Sequence, residues 1–102
     1  MEQITKDLQS FLVQMHYEPN SISHQMEHYI EHLFHLLSVD DERLLCQYFG
    51  LFGQEQKALS QLARDHEQSQ EDCMAHIDQL LRRLSITPEW QLLREVNKTK
   101  KD

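Results

Sequence analysis

The sequence predicts an all-α fold, and three observations carry that expectation. Only 2 Gly and 2 Pro occur in 102 residues, so tight turns are scarce and strand-rich architectures are disfavoured. Apolar residues recur at i, i+3, i+4 and i+7 through most of the chain, the period of a helix with one buried face. Ser or Thr stands just ahead of acidic residues at several points, which marks helix starts. The length fits one domain. The expected order is a helical hairpin over 1–37, a trihelical module over 40–84 and a closing helix over 87–96. Together they form one domain, 1–97, followed by a disordered basic tail over 98–102.

The first helix is expected from Glu2 to Met15, where Ile4, Leu8, Phe11, Leu12 and Met15 form one stripe. Pro19, Asn20 and Ser21 break it, because the residue before Pro is pushed out of the helical region. The second helix runs from Ser21 or Ser23 to Leu37, with Met26, Tyr29, Ile30, Leu33, Phe34 and Leu37 inside. Ser38 followed by Asp41 resembles a capping box and opens the third helix, and Gly50 suits its left-handed stop. A short fourth helix covers Gln56 to Asp65, with Ala58, Leu59, Leu62 and Ala63 inside. Ser69 caps a fifth helix that reaches Leu84 and buries Cys73, Ile77, Leu80, Leu81 and Leu84. Thr87 and Pro88 then start the last helix, with Trp90, Leu93 and Val96 facing inward and Trp90 as its core anchor.

Charge narrows the function. The formal net charge is -7, from 10 Lys and Arg against 17 Asp and Glu. Nucleic-acid binders draw much of their affinity from phosphate contacts, so strong autonomous DNA or RNA binding is disfavoured. No apolar run approaches the roughly 20 residues of a membrane span. The N-terminus lacks a basic region leading into an apolar core, so the expected compartment is the cytoplasm. Cys46 and Cys73 fall on apolar stripes and read as reduced core thiols.

Residues 40–84 read as three helices, the last two joined by a short turn, which is helix-turn-helix order. Asp41-Glu42-Arg43-Leu44-Leu45-Cys46-Gln47-Tyr48-Phe49-Gly50-Leu51 is similar to the helix that opens region four of bacterial sigma factors. Gly53, Leu59, Leu62, Ala63, Ser69, Glu71, Leu81 and Arg82-Arg83-Leu84 fall at matching positions without a gap. The resemblance spans Asp40 to Leu84. It implies that the fourth helix braces the fifth, and that the fifth presents its outer face to DNA or to a protein. Two turn positions depart from the family. Glu67 stands where the family favours Gly, and Gln68 where it has a buried aliphatic. The outer face offers Gln70, Glu71, Asp72, Ala75 and Gln79, without the family's arginines there. Arg82 and Arg83 lie at the far end. Acids beside Gln70 and Gln79 repel phosphate, so a protein surface is the expected target and DNA binding the lesser one.

His24, His28, His32 and His35 fall within a sector of about 80° on the second helix, on its solvent side. His at i and i+4 can chelate a divalent metal, as in helical zinc sites, and weak Zn or Ni binding is expected there. No nucleophile elbow, Gly-rich phosphate loop or catalytic Cys/His spacing is present, so neither an enzyme nor a cofactor is expected. The function expected is a transcription-associated regulatory module whose partner is RNA polymerase, a sigma factor or another regulator. The alternative is a small acidic helical adaptor or chaperone that binds a partner helix through its N-terminal hairpin. Such a hairpin also offers a homodimer surface.

Overall fold

The computed structural model describes residues 2–99, with side chains described through Glu95. Every regular element among these residues is helical: α1 (Gln3–Tyr17), a single 3-10 turn (Pro19–Ser21), α2 (His24–Phe34), α3 (Val39–Phe49), α4 (Leu59–Asp65), α5 (Gln70–Ser85) and α6 (Pro88–Thr99). None of these helices is long and apolar enough to cross a membrane.

The predicted caps are made. Ser23, Ser38 and Ser69 each accept from the backbone N–H three residues on, at 3.1, 3.2 and 3.0 Å. Each satisfies one of the four N–H groups that a helix start leaves without partners. Thr87 Oγ1 accepts from the Trp90 N–H and donates to the Leu84 carbonyl, joining the end of α5 to the start of α6. The Asp41 carboxylate does not complete a capping box. It engages His76 Nε2 at 3.1 Å and ties α3 to α5.

Several boundaries differ from the sequence reading. α1 runs two residues past Met15, to Tyr17. α2 ends at Phe34, because Leu36 and Leu37 bond three residues back and tighten the chain ahead of Ser38. α4 begins at Leu59, later than expected. The Lys57 N–H bonds the Gln47 carbonyl at 2.8 Å, and Gln56 Nε2 donates to the Tyr48 carbonyl. The end of α3 thus claims the segment expected to open α4. Ala58 is accordingly an exposed, non-helical lead-in and not an inside residue. The backbone of α6 continues through Thr99, past the expected end at Val96. The basic tail expected to be disordered over 98–102 is helical at Lys98 and Thr99, while residues 100–102 and the inward placement expected of the Val96 side chain lie outside the described residues.

α1 and α2 form the N-terminal hairpin, and both lean on the back half. α1 lies along α5, α2 along α6, and α4 across α5. One core joins them, with Leu8, Leu12, Ile30, Leu44, Leu62, Ile77 and Leu81 fully buried. Trp90 seals it. Its indole is 1% exposed, meets Phe11 edge-on at 5.9 Å and donates to the Ile4 carbonyl at 3.2 Å. A satisfied donor on a large apolar ring is what allows Trp to be buried. Among the described residues the polar pair deep in this core, Thr5 and Ser85, is bonded at 2.9 Å. Ser85 Oγ donates onward to the Arg82 carbonyl, so Thr5 is the donor to Ser85.

Candidate partner-binding surfaces

α4 and α5 are joined by a corner at His66, Glu67 and Gln68. Glu67 has a φ of +54, in the left-handed region that non-glycine residues seldom occupy. Its N–H bonds the Arg64 carbonyl at 3.1 Å and the Gln68 N–H bonds the Ala63 carbonyl at 2.8 Å. That pair of bonds is a Schellman stop. The left-handed turn thus falls on Glu67, a residue with a Cβ. The Gln68 side chain is turned inward, and its Oε1 is buried without a hydrogen-bond partner.

Beyond the corner, Gln70, Glu71, Asp72, Ala75, Gln79, Arg82 and Arg83 are all exposed. They do not form one uniform face. At 100° per residue, all but Gln70 fall in a sector of about 120° opposite the buried stripe. Gln70 lies over the stripe itself and is exposed because it opens the helix. Along the axis the charge is ordered, with Glu71 and Asp72 in the first turn and Arg82 and Arg83 in the last. That order complements the helix dipole. At 1.5 Å rise per residue the acidic and basic ends stand roughly 17 Å apart. The surface is therefore bipolar, and a stretch of nucleic-acid backbone would meet acid along half of it.

The α2 surface differs. His24, His28, His32 and His35 are exposed, as their spacing implies. His28 and His32 meet with Nε2 atoms 3.0 Å apart, and His35 Nε2 sits 3.5 Å from Glu42 Oε2. Among the described residues, no group of three or more His, Cys, Asp or Glu is gathered to hold a metal ion.

Tyr29, expected on the inner face of α2, is 43% exposed instead. It lines an apolar groove of about 600 Å³ between α2 and α6, with Leu33, Leu36, Leu92 and Leu93 as walls and His32 and Glu89 at the rim. Sequence reasoning missed this groove. Adjacency in Leu36-Leu37 and Leu92-Leu93 does not decide it, because Leu44-Leu45 and Leu80-Leu81 are adjacent pairs buried on both members. Leu37 and Leu93 are buried, while Leu36 and Leu92 are 52% and 69% exposed.

The cysteines are free and buried. Burial, reinforced by the Glu42 and Glu31 carboxylates, pushes the Cys46 thiol up to about 11, and burial also raises Cys73. Both stay protonated at neutral pH, which leaves them poor nucleophiles. Set against protein-family models, curated proteins and solved structures, the chain matches none of them.

Proposed function

We propose that the chain is a non-enzymatic regulatory module of the helix-turn-helix type, resembling sigma factor region four in shape, that acts through protein contacts. The observation that carries this reading is the corner between α4 and α5. It takes the left-handed turn at the position where the resemblance calls for one, and does so with Glu67. A short brace, a strained corner and a longer capped helix stand in the order such modules use. The outer face of α5 begins with Glu71 and Asp72, which favours a protein surface with basic groups over a DNA groove. RNA polymerase, a sigma factor or another transcription regulator is the class of partner proposed.

The test is binding of the full chain to purified RNA polymerase and to sigma factors, beside a gel shift on duplex DNA at about 50 mM salt, where phosphate contacts are strongest. Polymerase or sigma binding that falls at least about tenfold with Glu71→Lys/Asp72→Lys is the expected result. A salt-sensitive DNA shift with no protein binding overturns it.

A second reading, a helical adaptor, is favoured by the groove between α2 and α6. Its exposed Tyr29, Leu36 and Leu92 fit the apolar face of one amphipathic partner helix, with His32 and Glu89 at the rim. The groove needs α6 as well as the hairpin, so the binding element is larger than the hairpin alone. Leu36→Glu/Leu92→Glu separates the readings, because it abolishes binding in the groove and leaves the α5 face intact.

A further inference from the structure

We propose that His28 and His32, out of the four-histidine row on α2, form a two-point site for a divalent metal of tetragonal preference, Cu2+ or Ni2+. Their Nε2 atoms lie 3.0 Å apart. With metal–nitrogen bonds of about 2.0–2.1 Å, a right angle at the metal sets two nitrogens about 2.8–3.0 Å apart, whereas a tetrahedral angle sets them about 3.3–3.4 Å apart. The observed separation fits two neighbouring corners of a square or octahedron. That geometry belongs to Cu2+ and Ni2+, while Zn2+ favours the tetrahedron. Water completes the coordination, since both rings are open to solvent.

The pair is prearranged. Its rings meet edge-on with centroids 4.4 Å apart, and the contact between the two Nε2 atoms is a single shared N–H···N hydrogen bond. A metal takes the place of that shared proton, which passes to Nδ1 of the same ring, so both imidazoles remain neutral. On His28, Nδ1 faces Glu31 Oε1 at 4.0 Å. At that distance the carboxylate acts through its charge and not a hydrogen bond, and it favours a proton on Nδ1, which leaves Nε2 free for the metal. His35 is drawn to Glu42, with 5.9 Å between its ring centroid and that of His32. His24 lies one turn before His28, whose Nε2 is already committed to His32.

Titration of the full chain with CuCl2, NiCl2 and ZnCl2, followed by calorimetry and Cu2+ electron paramagnetic resonance, tests the site. One Cu2+ per chain is expected, with an axial spectrum split by two imidazole nitrogens, and Ni2+ is expected to bind more tightly than Zn2+. His28→Ala and His32→Ala should each weaken Cu2+ binding about tenfold or more, with the two-nitrogen pattern lost. His24→Ala and His35→Ala should change it less than about twofold. All four side chains are exposed, and far-ultraviolet circular dichroism checks that each variant stays folded. An unchanged spectrum in the double variant overturns the site. So does a loss shared equally by all four histidines, or tighter binding of Zn2+ than of Ni2+.

Discussion

Two corners of this molecule solve the same backbone problem with opposite residues. α3 stops at Gly50 and α4 stops before Glu67, with φ values of +69 and +54. At each, the following N–H reaches back to a carbonyl in the last turn: Leu51 to Cys46 at 2.9 Å and Gln68 to Ala63 at 2.8 Å. The residue after the turn faces inward in both cases. At the first corner it is Leu51, fully apolar and buried, and at the second it is Gln68, with an oxygen left unpaired. The surroundings explain the first choice. A Cβ on Gly50 would lie 2.7 Å from His16 Nδ1 and 2.9 Å from Gln56 Cβ. His16 Nδ1 also bonds the Gly50 carbonyl at 3.0 Å, pinning the end of α1 to this corner. Glu67 is exposed and has room for its side chain. The first corner is set by packing. The second tolerates strain and an orphan oxygen at the entrance to the helix we propose as the binding element, and rules broken locally tend to mark functional positions.

The comparison is broken most strongly at Gly50. Gly50→Ala should cost about 3 kcal/mol, from the left-handed penalty of about 1–2 kcal/mol and the crowding of His16. In a His16→Ala background the same change should cost about 1 kcal/mol less, as a double-mutant cycle in urea would record. Purely additive costs would show that the backbone, and not the close approach, requires the glycine. A smaller effect of opposite sign is expected at Gln68. Gln68→Leu should stabilise by about 1–2 kcal/mol, because it removes a buried acceptor without a partner and copies Leu51. An unchanged or lower urea midpoint would indicate that the Gln68 oxygen is satisfied in solution. The smallest change belongs to Glu67→Gly. Relief of the left-handed conformation, offset by the greater freedom of Gly in the unfolded chain, leaves a gain of about 0.5–1 kcal/mol. A loss of stability would mean that the Glu67 side chain makes a favourable contact. Partner binding measured on the Gln68→Leu and Glu67→Gly variants then shows whether the strain at this corner serves the α5 face.

Much of the fold was legible because it is written locally. Ser23, Ser38, Ser69 and Thr87 signal their helices through a hydroxyl three residues before the N–H it serves. The core stripes of α1 and α5 follow from period alone. The candidate surfaces were legible only in part. The exposure of the α5 residues other than Gln70, and of the histidine row, followed from their place opposite buried stripes. The groove did not, because it depends on α2 lying beside α6, two elements more than fifty residues apart in sequence.

What the sequence determined by itself, then, is the set of helices, their caps, the inward faces and the Gly50 stop, all fixed by interactions within a few residues. Only the tertiary structure decided the rest. It placed Tyr29 at a groove instead of in the core, turned Asp41 from its own helix end to His76, and drew Lys57 to the end of α3. At Asp41 and Lys57 a bond to another element outweighs the local preference that sequence pattern alone reads as decisive.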